Sequence, residues 1–543
     1  MDSGADPTRG GETAAEEAPG GDRLFTLVIA LLALLPRLYV AIAWAREPVW
    51  DGHYYDFGAR RIAAGLGYSD DIILDGRPIW HPWCHYPVGY SGFLGIVYRI
   101  FGGGPHVATV ANALTGALLV AVVHRLARYA TTQRRARIAA ILAAASPGLI
   151  VYSALLMTEP LAALGTLAAA WLFARGQAPS VSPRVRMWSI VSSGITLGLT
   201  ILVRPQSLLC APALVLLAIP RRNLSNTNSP EFLAQRRKDA KTQEEETSSL
   251  VRLFCAFAPL RLCVKFKSFK SSHGFAGNPL KRAVVDTVIA TAVAVAVVAP
   301  WTARNCRVMD GCALVSTNGG WNLAIGAFPR ATGRFETLRG TDGCPIVTGQ
   351  VQQDRCWLHE GLGWIAGSPG RWIGLMPKKL SFTFDHESFP MGYLGEADPA
   401  RWPEERKARG REILSGAHRV LLGAAALGVI ALPIHRRWRD RLAQIALLGI
   451  ALFLGAQSIW ADLHPAWPLA LFIPAAAALP IPGRPRSGGV IGYLAFAIAS
   501  VALTHAVFFG EDRYHMVVTP ALCILAAAAL RRPAGEAAAS APR

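Results

Sequence analysis

Residues 23–68 read RLFTLVIALLALLPRLYVAIAWAREPVWDGHYYDFGARRIAAGLGY. The block 24–45 is almost wholly apolar, and a helix crossing a bilayer needs about 20 such residues. In hydrocarbon every backbone N–H and C=O must be satisfied within the segment, so the block reads as a spanning helix. Directly behind it come Asp51, His53, Tyr54 and Tyr55, a polar cluster at the expected membrane boundary. Eleven further apolar blocks lie near 106–128, 137–154, 159–175, 188–203, 206–220, 283–301, 413–434, 442–461, 464–481, 488–509 and 516–531. The expected fold is an all-α polytopic membrane protein of about 12 transmembrane helices, with a small α/β-like cap built from two long outer loops.

Composition agrees. The chain has 543 residues, 52 % of them hydrophobic and only 17 % charged, against roughly 25 % charged in a soluble domain. This excludes a disordered chain, a collagen, a disulfide-rich mini-domain and an ordinary soluble enzyme. The 55 basic residues outnumber the 36 acidic ones, for a net charge of +19. In a soluble protein that excess would suggest nucleic acid. Here the basic residues sit at the ends of apolar blocks, the mark of cytoplasmic retention, and no nucleic-acid partner is expected.

Arg125, Arg128, Arg134, Arg135 and Arg137 fall between the second and third blocks, and Arg175, Arg184 and Arg186 between the fourth and fifth. HRRWRDR, 435–441, lies between the eighth and ninth, and Arg531 and Arg532 follow the last. These flanks place both termini inside; Arg46, Arg60 and Arg61, in the first outer loop, dissent. The first 22 residues are polar and acidic, and no small-residue cleavage site follows the first block, so that block is expected to be retained. The expected organisation is a disordered cytoplasmic tail, 1–22, and a transmembrane module, 23–220, with outer loop 46–105. A cytoplasmic insertion, 221–282, a second module, 283–531, with outer loop 302–412, and a tail, 532–543, complete it. The insertion carries 13 Lys/Arg and 5 Asp/Glu and is rich in Ser, which reads as a flexible segment.

The polar chemistry lies in the outer loops. On residue chemistry alone Asp51 reads as a solvated acid at the membrane boundary. WDGHYYDFGARRIAAGLGY (50–68) followed by YPVGYSGFLGIVYRIFG (86–102), however, resembles the first outer loop of the GT-C glycosyltransferases. The branch it is most similar to is that of the protein O-mannosyltransferases and aminoarabinose transferases, which use polyprenyl-phosphate sugars. SPGLIVYSALLMTEPLAALGTLAAAWL (146–172), GITLGLTILVRPQSLLCAPAL (194–214), APWTARNCRVMDGCALVSTNGGWNLAIGAFPRATGRF (299–335) and EDRYHMVVTPALCILAAAAL (511–530) resemble later parts of that branch in the same order. One departure is that Gly52 follows Asp51 where the branch often has an Asp-Glu pair.

The resemblance implies a membrane glycosyltransferase, transferring a hexose or pentose from a polyprenyl-phosphate donor to a protein or glycolipid acceptor. The reaction would take place on the extracytoplasmic face of the cell (inner) membrane. Deprotonating an acceptor hydroxyl needs a positioned base, and Asp51 is the candidate. One base without a second nucleophilic carboxylate fits single displacement with inversion. Glu159, at the outer end of a span, is a candidate for positioning the acceptor or a cation, as is His53. A leaving phosphate needs guanidinium groups; Arg204, before Pro205 at an outer turn, and Arg513 with Tyr514 are the candidates. Arg304 and Asn305 read as either interfacial anchors or site residues. His53, His81 and His85 near Asp51 leave a divalent cation open beside the plainer reading of interfacial histidines without metal. Cys306 and Cys312 flank the turn Met309-Asp310-Gly311 between two strand-like runs, and Cys344 with Cys356 is a second possible disulfide. The competing functions are a multi-span secondary transporter, against which stands the lack of an internal repeat, and a non-catalytic lipid-binding membrane protein.

Overall fold

The computed structural model describes residues 19–178, 181–218, 279–345, 349–430, 438–460, 465–479 and 489–528. Both expected tails (apart from 19–22), residues 221–278 of the insertion with Cys255 and Cys263, residues 435–437, Arg531 and Arg532 lie outside the described residues. The last four residues assigned to the insertion belong instead to the helix Pro279–Val308.

The chain is helical and polytopic. Seven helices are long and apolar enough to span: Asp22–Ala43, Pro105–Ala130, Pro183–Val203, Leu280–Val308, Glu404–Ile430, Arg441–Ile459 and Val490–Val507. The pair Gln133–Ala145 and Pro147–Ala154, bent by 55°, makes an eighth if counted as one span. The count of twelve is therefore not reached among the described residues. Residues 206–218 of the block 206–220 fold as short 3-10 and α turns around Pro205 and Pro212, because proline removes a helix donor and crowds the preceding turn. The block 464–481 holds a helix of 12 residues, Trp467–Ala478, with Pro474 inside it. The last block opens as a 3-10 turn, Asp512–Val517, before the short helix Thr519–Ala527. The helix Glu159–Gly176 forms where expected, but with Glu159 and Arg175 among its 18 residues it stands outside the seven.

Two packing devices hold the body. The first helix exposes Leu27, Leu31, Leu35, Tyr39 and Ile42 at helical spacing, while Ala33, Val40 and Ala41 are buried. That exposed stripe suits lipid, and the small residues suit helix contact. Helices Pro183–Val203 and Leu280–Val308 meet through Gly194 and Gly198, four apart. A Cβ at either would lie within 2.7 Å of the Ala290 or Ala294 carbonyl oxygen, so only glycine permits this approach. Arg37, buried within the first helix, donates to the carbonyls of Ala143 (2.9 Å) and Ala144 (3.1 Å). These carbonyls lie in the last turn before the Ser146-Pro147 bend, and a guanidinium there satisfies groups that lipid could not.

The cap is more helical than expected. Its sheet, among the described residues, is one antiparallel hairpin, Ser69–Leu74 with Arg77–Pro82. Asp75 and Gly76 at its turn both have positive φ, 50° and 73°, as a tight Asp-Gly hairpin requires. The first outer loop also carries the helices Asp51–Ala63 and Val88–Phe101. The disulfides Cys306–Cys312 and Cys344–Cys356 both form, and Cys84 is free and buried. The run before the 309–311 turn is not a strand, since Cys306 lies in the last turn of Pro279–Val308. Asp310 accepts from the amides of Val351 (3.0 Å) and Gln352 (2.8 Å), tying that turn to the start of helix Gln350–Gly367.

Replacing Gly198 by valine should lower the midpoint of thermal unfolding in detergent. Overpacking against the Ala294 carbonyl costs about 1–3 kcal/mol. A midpoint unchanged from the parent protein would show that the two helices do not pack this closely.

Candidate functional site

Trp50 turns the chain from the first span into the helix Asp51–Ala63 with a positive φ of 52°. Its ring is held against Phe389 and Tyr393 at centroid distances of 5.5 and 5.9 Å. This sharp turn places Asp51 in the first turn of the helix, where the dipole favours negative charge. One Asp51 oxygen accepts from the Tyr86 hydroxyl at 2.7 Å and the other from Arg513 Nη1 at 2.6 Å. Arg513 pairs through Nε with Glu511 at 2.5 Å. Its guanidinium lies over the rings of Phe389 (4.9 Å) and Tyr514 (5.1 Å).

Tyr514 links this group to a second ion pair. The Arg204 guanidinium lies 5.2 Å from the Tyr514 ring centre. Its Nη1 donates to Glu159 at 2.6 Å and to the Thr158 hydroxyl at 3.2 Å. The structure thus brings together Asp51, Glu159, Arg204, Arg513 and Tyr514. His53 does not join them; it is exposed and its ring contacts Tyr54. His81 pairs with Asp70 at 2.6 Å, while the His85 ring faces Tyr86 and Trp321. The three histidines therefore do not converge on a shared ion. Arg304 donates to the Trp83 and Tyr68 carbonyls, and Asn305 to those of Ala313 and Val315, so both brace the loops.

Burial by itself would raise the Asp51 carboxyl. Arg513, with help from the Tyr86 hydroxyl, outweighs it and holds Asp51 below the ordinary carboxylate range. Glu511 goes the other way. Burial pushes it up to about 7, only partly relieved by Arg513 and reinforced by Asp512, Asp51 and Glu159. Burial lowers His85, partly offset by Asp51. Two neighbouring carboxylates therefore have widely separated pKa values, the pattern typical of sites that handle protons.

A cavity of about 250 Å³ opens beside the cluster, lined by Trp50, Arg334, Phe389, Arg411, Glu511 and Asp512 among others. Sequence reasoning missed Glu511, although an acid two residues before Arg513 at a span end was a usable signal. Tyr86 is one of several aromatic residues in the first outer loop, and only its place beside Pro87 sets it apart. Nothing in the sequence marked Arg334 or Arg411.

Residues 85–233 match the family model of the dolichyl-phosphate-mannose-protein mannosyltransferases. Glu159 and Arg204 fall inside that match, and Asp51 and Arg513 outside it. No curated protein matches the chain. Among solved structures, the chain is similar to the archaeal oligosaccharyltransferase of Archaeoglobus fulgidus in complex with an inhibitory peptide and a dolichol-phosphate. The identity is 15 % and the TM-score 0.43, with 93 % of this chain and 50 % of that one covered. The chain thus spans about half the length of that enzyme. A second is ArnT from Cupriavidus metallidurans bound to undecaprenyl phosphate, at 18 % identity and a TM-score of 0.33, covering 84 % of this chain and 79 % of that one. The family likeness therefore rests on residues 85–233, over which the chain is similar to a mannosyltransferase family.

Proposed function

We propose that the protein transfers a sugar from a polyprenyl-phosphate donor to a protein or glycolipid acceptor, with inversion, on the extracytoplasmic face of the cell (inner) membrane. The observation that carries this reading is the meeting of Asp51, Glu159, Arg204 and Arg513 around Tyr514, beside a cavity. The family description, which names a dolichyl-phosphate-linked sugar and a protein acceptor, supports the donor and acceptor classes. The domain plan 1–22, 23–220, 221–282, 283–531 and 532–543 belongs to the same proposal, with the end of the insertion moved back to residue 278, where helix Pro279–Val308 begins.

In the proposed step the acceptor oxygen bonds to C1 of the sugar as the C1–O bond to phosphate breaks. The phosphate leaves with the electron pair, and the acceptor proton passes to Asp51. A carboxylate offers about four lone-pair sites, so the hydroxyl can join Tyr86 and Arg513 on Asp51 without displacing either. The depressed pKa keeps Asp51 ionised at neutral pH and makes it a weak base. It suits a late transfer, once bond formation to C1 has made the hydroxyl acidic. Arg204 and Arg513 supply the charge that the leaving phosphate needs. Glu159 holds Arg204 in place, a positioning role.

Asp51→Asn keeps the side-chain size but removes the proton acceptor. Single-turnover rate should fall by about 10²-fold or more with donor affinity nearly unchanged. Arg204→Ala should weaken donor binding by about 1.5–3 kcal/mol, and Arg204→Lys should restore only part, lacking the planar fork. A near-normal single-turnover rate in Asp51→Asn would remove Asp51 as the base and turn attention to Glu159.

Glu511 sets a pH dependence. Below about 7 it is protonated, which frees Arg513 Nε from its ion pair for the phosphate; above that pH the carboxylate competes. Donor affinity should therefore decline as pH rises through about 7, and Glu511→Gln should hold the low-pH affinity across that range. The linkage to stability has the same sign. A carboxyl raised in the folded state binds more protons than in the unfolded chain, so its contribution is lost as pH rises between 4.5 and about 7. An inflection of equal size in Glu511→Gln would assign it to another group.

Sidedness has its own test. A reporter placed after Thr132 should be cytoplasmic and one after Gln350 external. Finding both on one side would contradict the proposed location of the site.

A further inference from the structure

On the far side of the turn that carries Arg513, three side chains meet: Glu387, His418 and His515. Their ligand atoms all lie within 4.8 Å of one another, and all three residues are buried. Glu387 sits between the helices Pro369–Phe384 and Phe389–Ala397, His418 on the helix Glu404–Ile430, and His515 in the turn Asp512–Val517. None of them takes part in the glycosyl-transfer site described above.

The hydrogen bonds orient them. His418 uses Nε2 on the Phe384 carbonyl at 2.9 Å, and His515 uses Nδ1 on the Thr383 carbonyl at 2.8 Å. A ring nitrogen facing a carbonyl must be the protonated one, so His418 Nδ1 and His515 Nε2 present lone pairs. Both of these atoms are buried without a hydrogen-bond partner, as is Glu387 Oε1. Glu387 Oε2 is 3.8 Å from His515 Nε2, too far for a hydrogen bond. The two rings stack at 3.8 Å, a poor arrangement for two imidazolium cations. Three acceptor atoms thus face one point with no protein donor drawn between them, an arrangement that a bound cation would satisfy. Imidazoles fixed by donation to backbone carbonyls are also the usual outer shell of a metal-binding histidine. Gly148 keeps the space open, since a Cβ there would fall on Glu387 Oε1.

We propose that Glu387, His418 and His515 bind a divalent transition-metal ion of the zinc class. Two nitrogens and one carboxylate oxygen suit zinc, with the fourth position left to water. Bond lengths of about 2.0–2.1 Å on a tetrahedral ion need the ligand atoms roughly 3.3 Å apart, so binding draws the three groups modestly together. The ion would fasten the turn Asp512–Val517 to the segment at Glu387. That joint is already tied by Asp512, which accepts from the amides of Ser388 and, at 2.7 Å, Phe389. Metal here would brace the turn that presents Arg513 without touching substrate.

The test is metal content, and it is independent of the proposed activity. Full-length protein purified in detergent without chelator should carry about one zinc per chain by elemental mass spectrometry. After chelator stripping, cobalt(II) should give the visible d–d absorption of a tetrahedral N/O site. Glu387→Gln, His418→Gln and His515→Gln should each retain at least tenfold less metal, while Asp51→Asn retains it fully. Metal unchanged in the three variants, or lost in Asp51→Asn, would overturn the assignment. Should the variants fail to fold, the wild-type cobalt spectrum decides alone: its absence from folded protein sinks the proposal.

Discussion

Arg513 is the constraint on which the site depends. Its guanidinium is nearly removed from water and pairs with Asp51, from the start of the first outer loop, and with Glu511, two residues before it. Removing one partner of a buried ion pair costs about 3–5 kcal/mol, because the charge left behind cannot be solvated. The pair therefore clamps the N-terminal and C-terminal parts of the chain to one point. Everything else in the cluster is arranged around that clamp. Phe389 and Tyr514 shield the guanidinium from two sides, and Tyr514 hands the contact on to Arg204 and its partner Glu159.

The clamp also explains why the outer loops are built as they are. Asp51 can reach Arg513 because Trp50 adopts a positive φ and lodges its ring against Phe389 and Tyr393. Phe389 is held by Asp512, the neighbour of Arg513, through its backbone amide. The turn Asp512–Val517 thus presents one residue, Arg513, to Asp51, one to the backbone of the facing segment, and one, His515, to the buried face behind. A 3-10 turn suits this, since side chains leave it in three directions over a few residues.

Apolar blocks made the helical, membrane-spanning class legible from composition, and the order of weak motifs carried a resemblance that the family match at residues 85–233 partly overlaps. The number of spans was not legible, because hydropathy counts apolar residues and is blind to what proline does to them. The blocks at 206–220 and 464–481 are apolar enough, but Pro205, Pro212 and Pro474 interrupt or shorten their helices. Single polar residues at outer span ends could be read: Asp51, Glu159, Arg204 and Arg513 each stood where a charge needs a reason. Their pairing could not be read, because it depends on tertiary distance. The same limit hid Glu387, His418 and His515, which are 31 and 97 residues apart in the chain and share no spacing signature.

The charge balance of the cluster bears on how it would work. Two arginines face three carboxylates, Asp51, Glu159 and Glu511, so with all of them ionised the group carries no spare positive charge. An anionic donor would then meet guanidinium groups already occupied. The raised pKa of Glu511 relieves this, for with Glu511 protonated two cations face two anions. Adding a lipid phosphate then requires a partial exchange of partners, which would draw Arg513 off Glu511 before Asp51 loses its own contact. Under the proposed function, a site built this way would keep its cations oriented by carboxylates until the substrate took them over. It thereby avoids both an unpaired buried charge when empty and the cost of ordering long side chains on binding. Arg334, over the Phe382 ring, and Arg411, paired with Glu404, line the neighbouring cavity, where an approaching phosphate would first meet positive charge.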